Sequence, residues 1–423
     1  MSNQWIYFFG DGSAEGDPTR KDVLGGKGAS LAAMTAANLP VPAGFTISVE
    51  ACRYYHDHGG QWPAGLDSQL RTYISRLEKV TGRPFGRSAK PLLVSVRSGA
   101  AVSMPGMMDT LLNCGLHPEL ATELEDDSRF WPAYAQFIQQ FGKTVADMSE
   151  ESFEALAHDA AGKPVPPKQL CTLFMEHYRK ATGKAFPATA WDALVQCVNA
   201  VFESWNNERA IIYRKSQDIH GVEGTAVTVQ SMFPSEVSGI AFTANPGNPL
   251  ADEILIESAY GLGEAVVSGM VSPDLFVLDR NSLAIKTRTL GKKAFAVTSL
   301  EKASGKAPTD MSAFSLSDEQ VVDIAKLAMR LEEYFGYKVD IEWGVSDGKY
   351  ALLQARKIAG LDVANDIEVG RQAEIKRLTE LASKKRKVWT SHNLAETLSA
   401  PTPLTWDVMR RFMTGEGGFG KMY

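Results

Sequence analysis

The sequence predicts an α+β protein built from more than one lobe. Its 423 residues exceed the length of a typical single domain. A long region of helical periodicity lies between two regions in which short apolar runs are typical of strands. Near residue 340, two alternating runs flank an Asp-Gly pair, which is a strong signal for a β-hairpin. Hydrophobic residues make up 44% and charged residues 22% of the chain, a balance typical of soluble globular proteins.

The first hundred residues alternate between predicted strands and one helix. Residues 4–9 are predicted as a strand, and a helix is predicted from Gly28 to Ala37, directly after a glycine loop. The segment from Leu39 to Ser48 favours a tight turn that leads into a strand. The segment from Pro91 to Ala100 favours another strand, followed by a loop rich in methionine and glycine.

The middle of the chain is predicted to be helical from about Leu116 to Lys215. Aromatic residues recur there at spacings of three and four residues, which predicts packing into a core. They are Phe130, Tyr134, Phe137 and Phe141. Strands are then predicted within residues 225–233, 238–245, 252–260 and 274–279.

A helix with clear end signals precedes the hairpin. Ser317 and Gln320 form a capping-box pattern at its start, and Gly336 stops it after about Phe335. A second helix, charged and exposed, is predicted from about Asp366. Its basic end, residues 384–387, is interpreted as a solvated helix terminus rather than a targeting or nucleic-acid patch.

The hairpin segment reads VDIEWGVSDGKYALLQAR from Val339 to Arg356. A two-residue Asp-Gly loop would pair Glu342 with Leu353, whereas a three-residue turn would pair Glu342 with Gln354 and Asp340 with Arg356. Because a slip of one residue turns every side chain to the other face, the apolar pattern favours the three-residue turn. It would place Ile341, Trp343, Leu353 and Ala355 together on the buried face. The opposite face would carry two carboxylates, a carboxamide and a guanidinium, which alone could be a surface strand pair with ion pairing.

Two further motifs carry side chains suited to phosphate. In VLGGKGASLAAM, glycines let the backbone approach a ligand, and Lys27 lies beside a helix N-terminus. The spacing does not fit a Walker A loop. In VSVRSGAAVSMPGMMDTLLNCGL, Arg97 lies near a strand end, and Thr110 belongs to the polar and methionine-rich loop that follows. Each motif alone also fits an ordinary turn or core packing.

A fourth motif, IESAYGLGEAVVSGMVSPD, places Glu257 and Glu264 on either side of a glycine turn. Val266 occupies the third glycine position, so the dinucleotide-binding fingerprint is not matched. The two carboxylates could orient ribose hydroxyls or a metal, or they could simply be solvated.

Composition excludes several other classes of protein. The net charge of −6 argues against a general nucleic-acid or anionic-membrane surface. The four cysteines are far apart, so buried reduced thiols in a cytoplasmic protein are expected rather than a zinc site or a disulfide framework. The N-terminus does not read as a signal peptide, and no apolar run is long enough to span a membrane.

Together, the motifs resemble the AMP/ATP-binding domain of dikinases, the family of pyruvate phosphate dikinase, phosphoenolpyruvate synthase and rifampicin phosphotransferase. The resemblance covers most of the chain, from LGGKGASLAAM through SGIAFTANP to the hairpin. It implies an ATP-grasp-like fold that holds nucleotide between two lobes. The implied lobes are residues 1–235, with a helical insertion at about 116–200, and residues 236–358. Residues 359–423 would form a linker helix and the start of a following domain.

The same resemblance implies roles for individual residues. Lys27 and Arg97 would grip the phosphates of ATP, Arg356 would stabilise the transferring phosphoryl group, and Thr243 would add a phosphate contact. Glu342 and Gln354 would bind Mg²⁺, with Asp340 nearby. The remaining nucleotide-binding candidates are Thr110, Gln230, Glu257 and Glu264. Phosphoryl transfer depends on such positioned cations and metal.

Members of this family pass the phosphoryl group to a histidine on a separate domain. None of the seven histidines lies in the glycine-rich context that this domain shows, and His392 is interpreted as an ordinary linker histidine. The sequence therefore predicts the ATP-binding, phosphoryl-donating N-terminal portion of a dikinase, using ATP and Mg²⁺, with a phosphohistidine domain as its partner and pyruvate as final acceptor. Alternatives are the ATP-binding part of a rifampicin-type antibiotic phosphotransferase and a stand-alone, non-catalytic nucleotide-binding module.

Overall fold

The structure is a computed structural model of the chain. It describes residues 3–102, 104, 110–124, 127–159, 161–263, 266, 269, 271–293, 312–358 and 361–384, the last range by its backbone alone at 362–368 and 381–384. The chain divides into two compact units, residues 1–361 and residues 362–423. Both sheets and the candidate site lie in the first unit. The predicted α+β class is confirmed, since two antiparallel sheets combine with many helices.

The first sheet has six antiparallel strands in the order β2-β1-β3-β6-β4-β5. Its strands are β1 (Ile6–Gly10), β2 (Ser13–Ala14), β3 (Gly44–Ile47), β4 (Val94–Gly99), β5 (Thr110–Cys114) and β6 (Ala226–Ser231). Strand β6 lies between β3 and β4, although a long helical segment separates it from them in the sequence. The strands predicted in the first hundred residues are therefore present.

Among the described residues, eight helices belong to the same part of the chain as the first sheet, and several of them pack on it. They are α1 (Lys21–Ala36), α2 (Val49–Asp57), α3 (Leu66–Thr81), α4 (Phe130–Ala146), α5 (Glu150–Glu154), α6 (Pro167–Thr182), α7 (Ala190–Ser204) and α8 (Glu208–Ser216), with a 3-10 turn at Pro118–Glu123. The four aromatic residues of α4 that were predicted to be core are fully buried in this cluster. Aromatic spacing thus identified the packed face of α4 correctly.

The second sheet also has six antiparallel strands, in the order β10-β9-β8-β7-β11-β12. Its strands are β7 (Val237–Phe242), β8 (Glu253–Tyr260), β9 (Asp274–Asp279), β10 (Ile285–Thr289), β11 (Val339–Ser346) and β12 (Lys349–Lys357). Helix α9 (Asp318–Phe335) buries its apolar stripe in the same core as these strands. The predicted capping box of Ser317 and Gln320 is present, and Gly336 ends the helix with φ 72°.

The hairpin pairing was predicted correctly, but the predicted turn was wrong. Glu342 faces Gln354 and Asp340 faces Arg356, as expected. The turn has two residues, Asp347 and Gly348, with φ values of 50° and 69°. The extra residue needed for this pairing lies in β12 as a bulge, since the register shifts between the Glu342 and Trp343 pairs and leaves Leu353 unmatched.

This bulge also changes which leucine of β12 is in the core. Leu352 lies opposite Trp343 and is fully buried, whereas Leu353, predicted to be on the buried face, is half-buried and lines a cleft. At the bulge, β12 has one residue more than β11. The residues of β12 on the turn side of the bulge therefore point to the face opposite to the one predicted.

Helix α1 connects the two sheets. The Ser30 hydroxyl donates a 2.8 Å hydrogen bond to the Ala355 carbonyl on β12, and the Leu352 amide donates to the Pro40 carbonyl, also at 2.8 Å. Leu31 and Met34 of α1 join the core of the second sheet. The glycine-rich start of α1 is therefore fixed relative to both sheets.

Helix α10 (Leu361–Lys384) belongs to the second unit from Asp362 onwards, and its side chains between 369 and 380 are almost all exposed, as predicted. Within the described part of the chain, no helix is long and apolar enough to cross a membrane. The four cysteines are buried free thiols, as expected.

Candidate functional site

A cleft of about 1330 Å³ is lined by residues of both sheets and of α1. Two sheets that face each other can each contribute every second residue of their strands to such a cleft, because strand side chains alternate between faces. Most of the predicted site residues are found on its walls. They are Lys27, Arg97, Thr110, Gln230, Asp340, Glu342, Gln354 and Arg356.

Strand β4 shows how the first sheet separates core from cleft. Val94 and Val96 are fully buried in the helical core, whereas Ser95 and Arg97 line the cleft. The Arg97 side chain is 16% exposed, so its guanidinium is largely desolvated at the cleft wall. The alternation in VSVR thus directs the two valines to the core and the Arg97 cation to the cleft.

The glycines before Lys27 allow α1 to approach β4 closely. Gly25 interrupts the helix with φ 65° and ψ 172°, and a Cβ atom there would lie 1.5 Å from the Gly99 carbonyl oxygen. The Gly26 amide donates a 2.9 Å hydrogen bond to the Ala100 carbonyl. Only glycine permits this contact, and it places Lys27 next to the end of β4.

The Lys27 side chain is half-buried in the cleft. Burial is the main reason that the pKa of Lys27 is lowered to about 8. The positive charge of Arg97 lowers this pKa further, and the carboxylate of Glu342 acts in the opposite direction. The ammonium is therefore held in a place that disfavours its charge, which is a property of sites that receive an anion.

The hairpin supplies the opposite wall. Asp340, Glu342, Gln354 and Arg356 share one face, because directly opposed residues of an antiparallel pair point to the same side. The Arg356 Nε donates to both carboxylate oxygens of Asp340, at 2.8 and 2.7 Å. Burial raises the pKa of Asp340 above its ordinary value, while Arg356 opposes this shift.

The two walls meet where Arg97 approaches Glu342. The Nη1 atom of Arg97 lies 3.7 Å from Oε2 of Glu342, although the two residues belong to different sheets. A cation of the first sheet and a carboxylate of the second therefore lie close together in the cleft. This part of the cleft can hold a polyanion with an associated cation.

Of the other predicted residues, some line the cleft and others do not. Thr110 and Gln230 line the cleft, and the Gln230 amide nitrogen donates a 3.1 Å hydrogen bond to the Pro42 carbonyl. Glu257 lies two strands away from Glu342 on the same face of the second sheet, beside Ile240, and burial raises its pKa. It is not among the residues that line the cleft.

Thr243 does not line the cleft either. Its hydroxyl is completely buried and exchanges hydrogen bonds with the backbone of Val339, accepting from the amide at 2.9 Å and donating to the carbonyl at 3.3 Å. In this position it joins β7 to β11. Glu264 lies outside the described residues, so the structure does not place it.

Three aromatic residues at the rim were not anticipated. Tyr334, Phe335 and Tyr337 line the cleft, and the rings of Phe335 and Tyr337 are stacked with centroids 5.4 Å apart. Their sequence signal was available, since EYFGY directly precedes the hairpin. They are suited to contacts with a flat or apolar group.

The oxygen atoms of Glu342 and Gln354 fit a hard cation such as Mg²⁺, which accepts carboxylate and amide ligands. Among the described residues, no group of three or more His, Cys, Asp or Glu side chains could enclose a metal. Two protein ligands on an open cleft wall match a cation that arrives with phosphate oxygens and water rather than one that is caged.

Comparison with known proteins identifies a family for the chain. Residues 21–75 and 59–376 match the family model described as "Pyruvate phosphate dikinase, AMP/ATP-binding domain". A pyruvate, phosphate dikinase of Rhizobium meliloti is 37% identical over 375 residues, covering 84% of this chain and 39% of the relative. That of Clostridium symbiosum is 35% identical over 393 residues, covering 86% and 40%. A chloroplastic enzyme of that name from Oryza sativa is 41% identical over 290 residues, covering 64% and 30%.

The chain thus spans about two fifths of the length of the first two relatives. The family match includes the glycine motif, β4 and the complete hairpin, all of which contribute residues to the cleft. The chain belongs to the family of the pyruvate phosphate dikinase AMP/ATP-binding domain.

Proposed function

We propose that this chain is the ATP-binding, phosphoryl-donating part of a dikinase, with an ATP-grasp-like arrangement of lobes at 1–235 and 236–358. The observation that carries this proposal is the 3.7 Å approach of Arg97 to Glu342. It brings a phosphate-binding cation of one sheet next to a metal-binding carboxylate of the other. Both groups can then act on the same phosphate chain.

Lys27 and Arg97 grip the phosphates from the side of the first sheet. The guanidinium of Arg97 offers a planar fork that fits two phosphate oxygens, and Lys27 offers a compact charge. Desolvation at the cleft wall strengthens both interactions, because water competes less there. The close passage of α1 over β4 keeps Lys27 beside Arg97.

Glu342 and Gln354 would hold Mg²⁺ from the side of the second sheet, with Asp340 nearby. When bound, the metal neutralises charge on the phosphate oxygens. The hairpin positions the two oxygen donors directly opposite each other. A paired β-hairpin is a rigid platform, so little reorganisation of these side chains is required.

Arg356 acts on the transferring phosphoryl group. Its Nε bonds to Asp340, and this contact fixes the guanidinium on the cleft wall while its charge remains available to an incoming phosphate. A positioned cation stabilises charge that develops during transfer without a proton movement. Asp340 therefore orients Arg356 in this proposal.

The base and ribose occupy the remaining cleft surface. Met104, Met232, Phe233 and Leu262 give apolar contact area for a flat base. Thr110 and Gln230 supply polar contacts on the same walls, and Glu257 and Glu264 are the candidates for ribose hydroxyls. The Thr243 hydroxyl contributes by joining β7 to β11 through Val339 rather than by contacting phosphate.

The final acceptor is pyruvate, reached through a histidine on a separate domain. This part of the proposal rests on the relatives, whose names are pyruvate, phosphate dikinase and of which the chain covers about two fifths. Those names favour a dikinase over an antibiotic phosphotransferase. The cleft supports the ATP half-reaction.

Calorimetry on the purified chain tests the proposal. We expect ATP to bind in the presence of Mg²⁺ and pyruvate alone not to drive turnover of ATP to AMP. Absence of ATP binding by the folded chain would refute the proposed function. Steady pyruvate-driven formation of AMP by the chain alone would refute the requirement for a separate histidine domain.

A further inference from the structure

Three buried polar atoms on neighbouring strands of the first sheet have no hydrogen-bond partner among the described residues. They are Oγ1 of Thr46, Oγ1 of Thr228 and Nε of Arg97. Thr46 is 1% exposed and Thr228 is 0% exposed. Buried polar groups nearly always have a partner, so three unpaired ones on neighbouring strands require an explanation.

The three side chains stand in a row across the first sheet. Thr46 on β3 lies opposite Thr228 on β6, and Thr228 lies opposite Arg97 on β4. Residues paired in this way have their Cβ atoms about 5 Å apart on one face of the sheet. The spacing is too wide for direct bonds among the short hydroxyls but suits a bridging water.

Helix α1 closes this row from above. A Cβ atom on Gly28 would lie 2.6 Å from Thr46 Oγ1, and one on Gly99 would lie 3.7 Å from Thr228 Oγ1 and 3.4 Å from the Lys27 Cβ. The polar atoms therefore lie between the sheet and the turn that carries Lys27. Because Gly28 has no side chain, α1 packs directly against Thr46 and covers this end of the row.

We propose that Thr46 and Thr228 are positioning residues that hold a buried water beneath Lys27, and that this water orients Arg97. The water accepts a hydrogen bond from the Arg97 Nε–H and donates to the two threonine oxygens. Three partners are the usual number for a buried water. With Nε held from behind, the terminal nitrogens of Arg97 face the phosphates and Glu342 in a defined plane.

A purely structural role for the hydroxyls leads to a different expectation. An unpaired buried hydroxyl destabilises the folded state, so replacing it by a methyl group of similar size would be neutral or stabilising and would leave ligand binding unchanged. The positioning role predicts weaker binding without lower stability. The two roles are therefore separated by measuring both quantities on the same variants.

The test compares Thr228→Val with Thr228→Ser and, on the neighbouring strand, Thr46→Val. Thr35→Val is the matched control, since Thr35 is 2% exposed, bonds to the Leu31 carbonyl at 2.8 Å and lies about two turns beyond Lys27 on α1. ATP affinity with Mg²⁺ and the midpoint of denaturant unfolding are measured for each. We expect Thr228→Val and Thr46→Val to weaken ATP binding about tenfold, as for a lost charge-linked hydrogen bond, while Thr228→Ser and Thr35→Val bind as wild type.

A double-mutant cycle assigns the effect to Arg97. In an Arg97→Ala background, Thr228→Val should cause no further loss of ATP affinity. Wild-type affinity in folded Thr228→Val, or an equal loss in both backgrounds, would overturn the proposal. This arm rests on the proposed ATP binding.

A second arm needs no nucleotide. In NMR spectra of the ligand-free chain, the Arg97 Nε–H should exchange slowly with solvent in wild type and in Thr228→Ser, and about tenfold faster in Thr228→Val, because the hydrogen bond is lost. Equal exchange rates would overturn the positioning role even if ATP binds. If the wild-type chain fails to bind ATP but its Arg97 Nε–H is protected as expected, the proposed function is refuted and the positioning role is supported.

Discussion

The single Nε–H of Arg356 is shared between both carboxylate oxygens of Asp340, directly across the β11–β12 pair. The Arg356 side chain remains 42% exposed, whereas Asp340 is 13% exposed. An ion pair with one partner this exposed contributes little to stability. We therefore expect this ion pair to affect a phosphate bound in the cleft more than it affects the stability of the fold.

Arg356→Ala is expected to slow phosphoryl transfer about 100-fold or more while changing ATP affinity much less. The guanidinium acts on charge that develops during transfer, whereas Lys27 and Arg97 still hold the ground-state phosphates. Arg356→Lys keeps the charge but loses the planar fork, so it should restore activity only in part. Rapid-quench measurement of phosphoenzyme formation, in a protein that includes the histidine-bearing domain, gives the rate.

Comparison with Asp340→Asn distinguishes a role of Arg356 in phosphoryl transfer from a role in strand pairing. If the pair only joins β11 to β12, Arg356→Ala and Asp340→Asn should both lower the melting temperature slightly and leave single-turnover rates near wild type. An unchanged transfer rate in folded Arg356→Ala protein would remove Arg356 from the mechanism.

Glu342→Gln is expected to raise the Mg²⁺ concentration needed for ATP binding about tenfold or more. The substitution keeps size and hydrogen bonding but removes the negative charge that a hard cation prefers. ATP affinity is measured by calorimetry over a series of Mg²⁺ concentrations. Glu253→Gln is the control, since Glu253 is a half-buried glutamate of the same sheet that bonds to Asn245. The same Mg²⁺ dependence in wild type and Glu342→Gln would contradict the metal role.

The hairpin shows how far sequence reasoning reaches. The alternation of apolar residues was sufficient to pair Glu342 with Gln354, because burial of one face specifies register strongly. The same alternation did not show where the bulge lies in β12, because Leu352 and Leu353 are both leucines and either could face the core. The bulge depends on how β12 packs, and an Asp-Gly turn at Asp347 could have indicated the two-residue loop.

Contacts between the sheets were beyond the reach of local patterns. The approach of Arg97 to Glu342 joins residues far apart in sequence, and only the family resemblance brought them into one site. The same limit applies to Thr228 and Thr46, which read as ordinary strand residues. Their shared face becomes visible once β3, β6 and β4 are known to be neighbours.

Gly25→Ala is expected to reduce the free energy of unfolding by about 2–4 kcal/mol and to weaken ATP binding. The left-handed φ of 65° disfavours alanine, and the new Cβ would overlap the Gly99 carbonyl oxygen. The turn must move, and Lys27 moves with it. Gly26→Ala is the neighbouring control, because its Cβ would lie 3.2 Å from the Ala100 carbonyl oxygen and requires only a small adjustment. Denaturant unfolding compares the two, and equal stabilities would contradict the close-approach argument.

Lys27 makes ATP binding depend on pH. With a pKa of about 8, about half of the Lys27 side chains are neutral at pH 8 before binding. Bound phosphate stabilises the ammonium and raises this pKa, so ATP binding should take up about half a proton at pH 8, and affinity should fall as pH rises further. Calorimetry in two buffers with different ionisation enthalpies measures the uptake.

The substitution Lys27→Arg tests whether Lys27 is the group that titrates. Arginine stays charged across this range, so the variant should bind ATP without proton uptake and with a flat affinity between pH 7 and pH 9. The same pKa affects stability. Because the unfolded chain binds the Lys27 proton more tightly than the folded chain, the free energy of unfolding should gain a Lys27 contribution between pH 8 and pH 10.5, and Lys27→Arg should lack it. Proton uptake that persists in Lys27→Arg would assign the titration to another group and contradict the low pKa of Lys27.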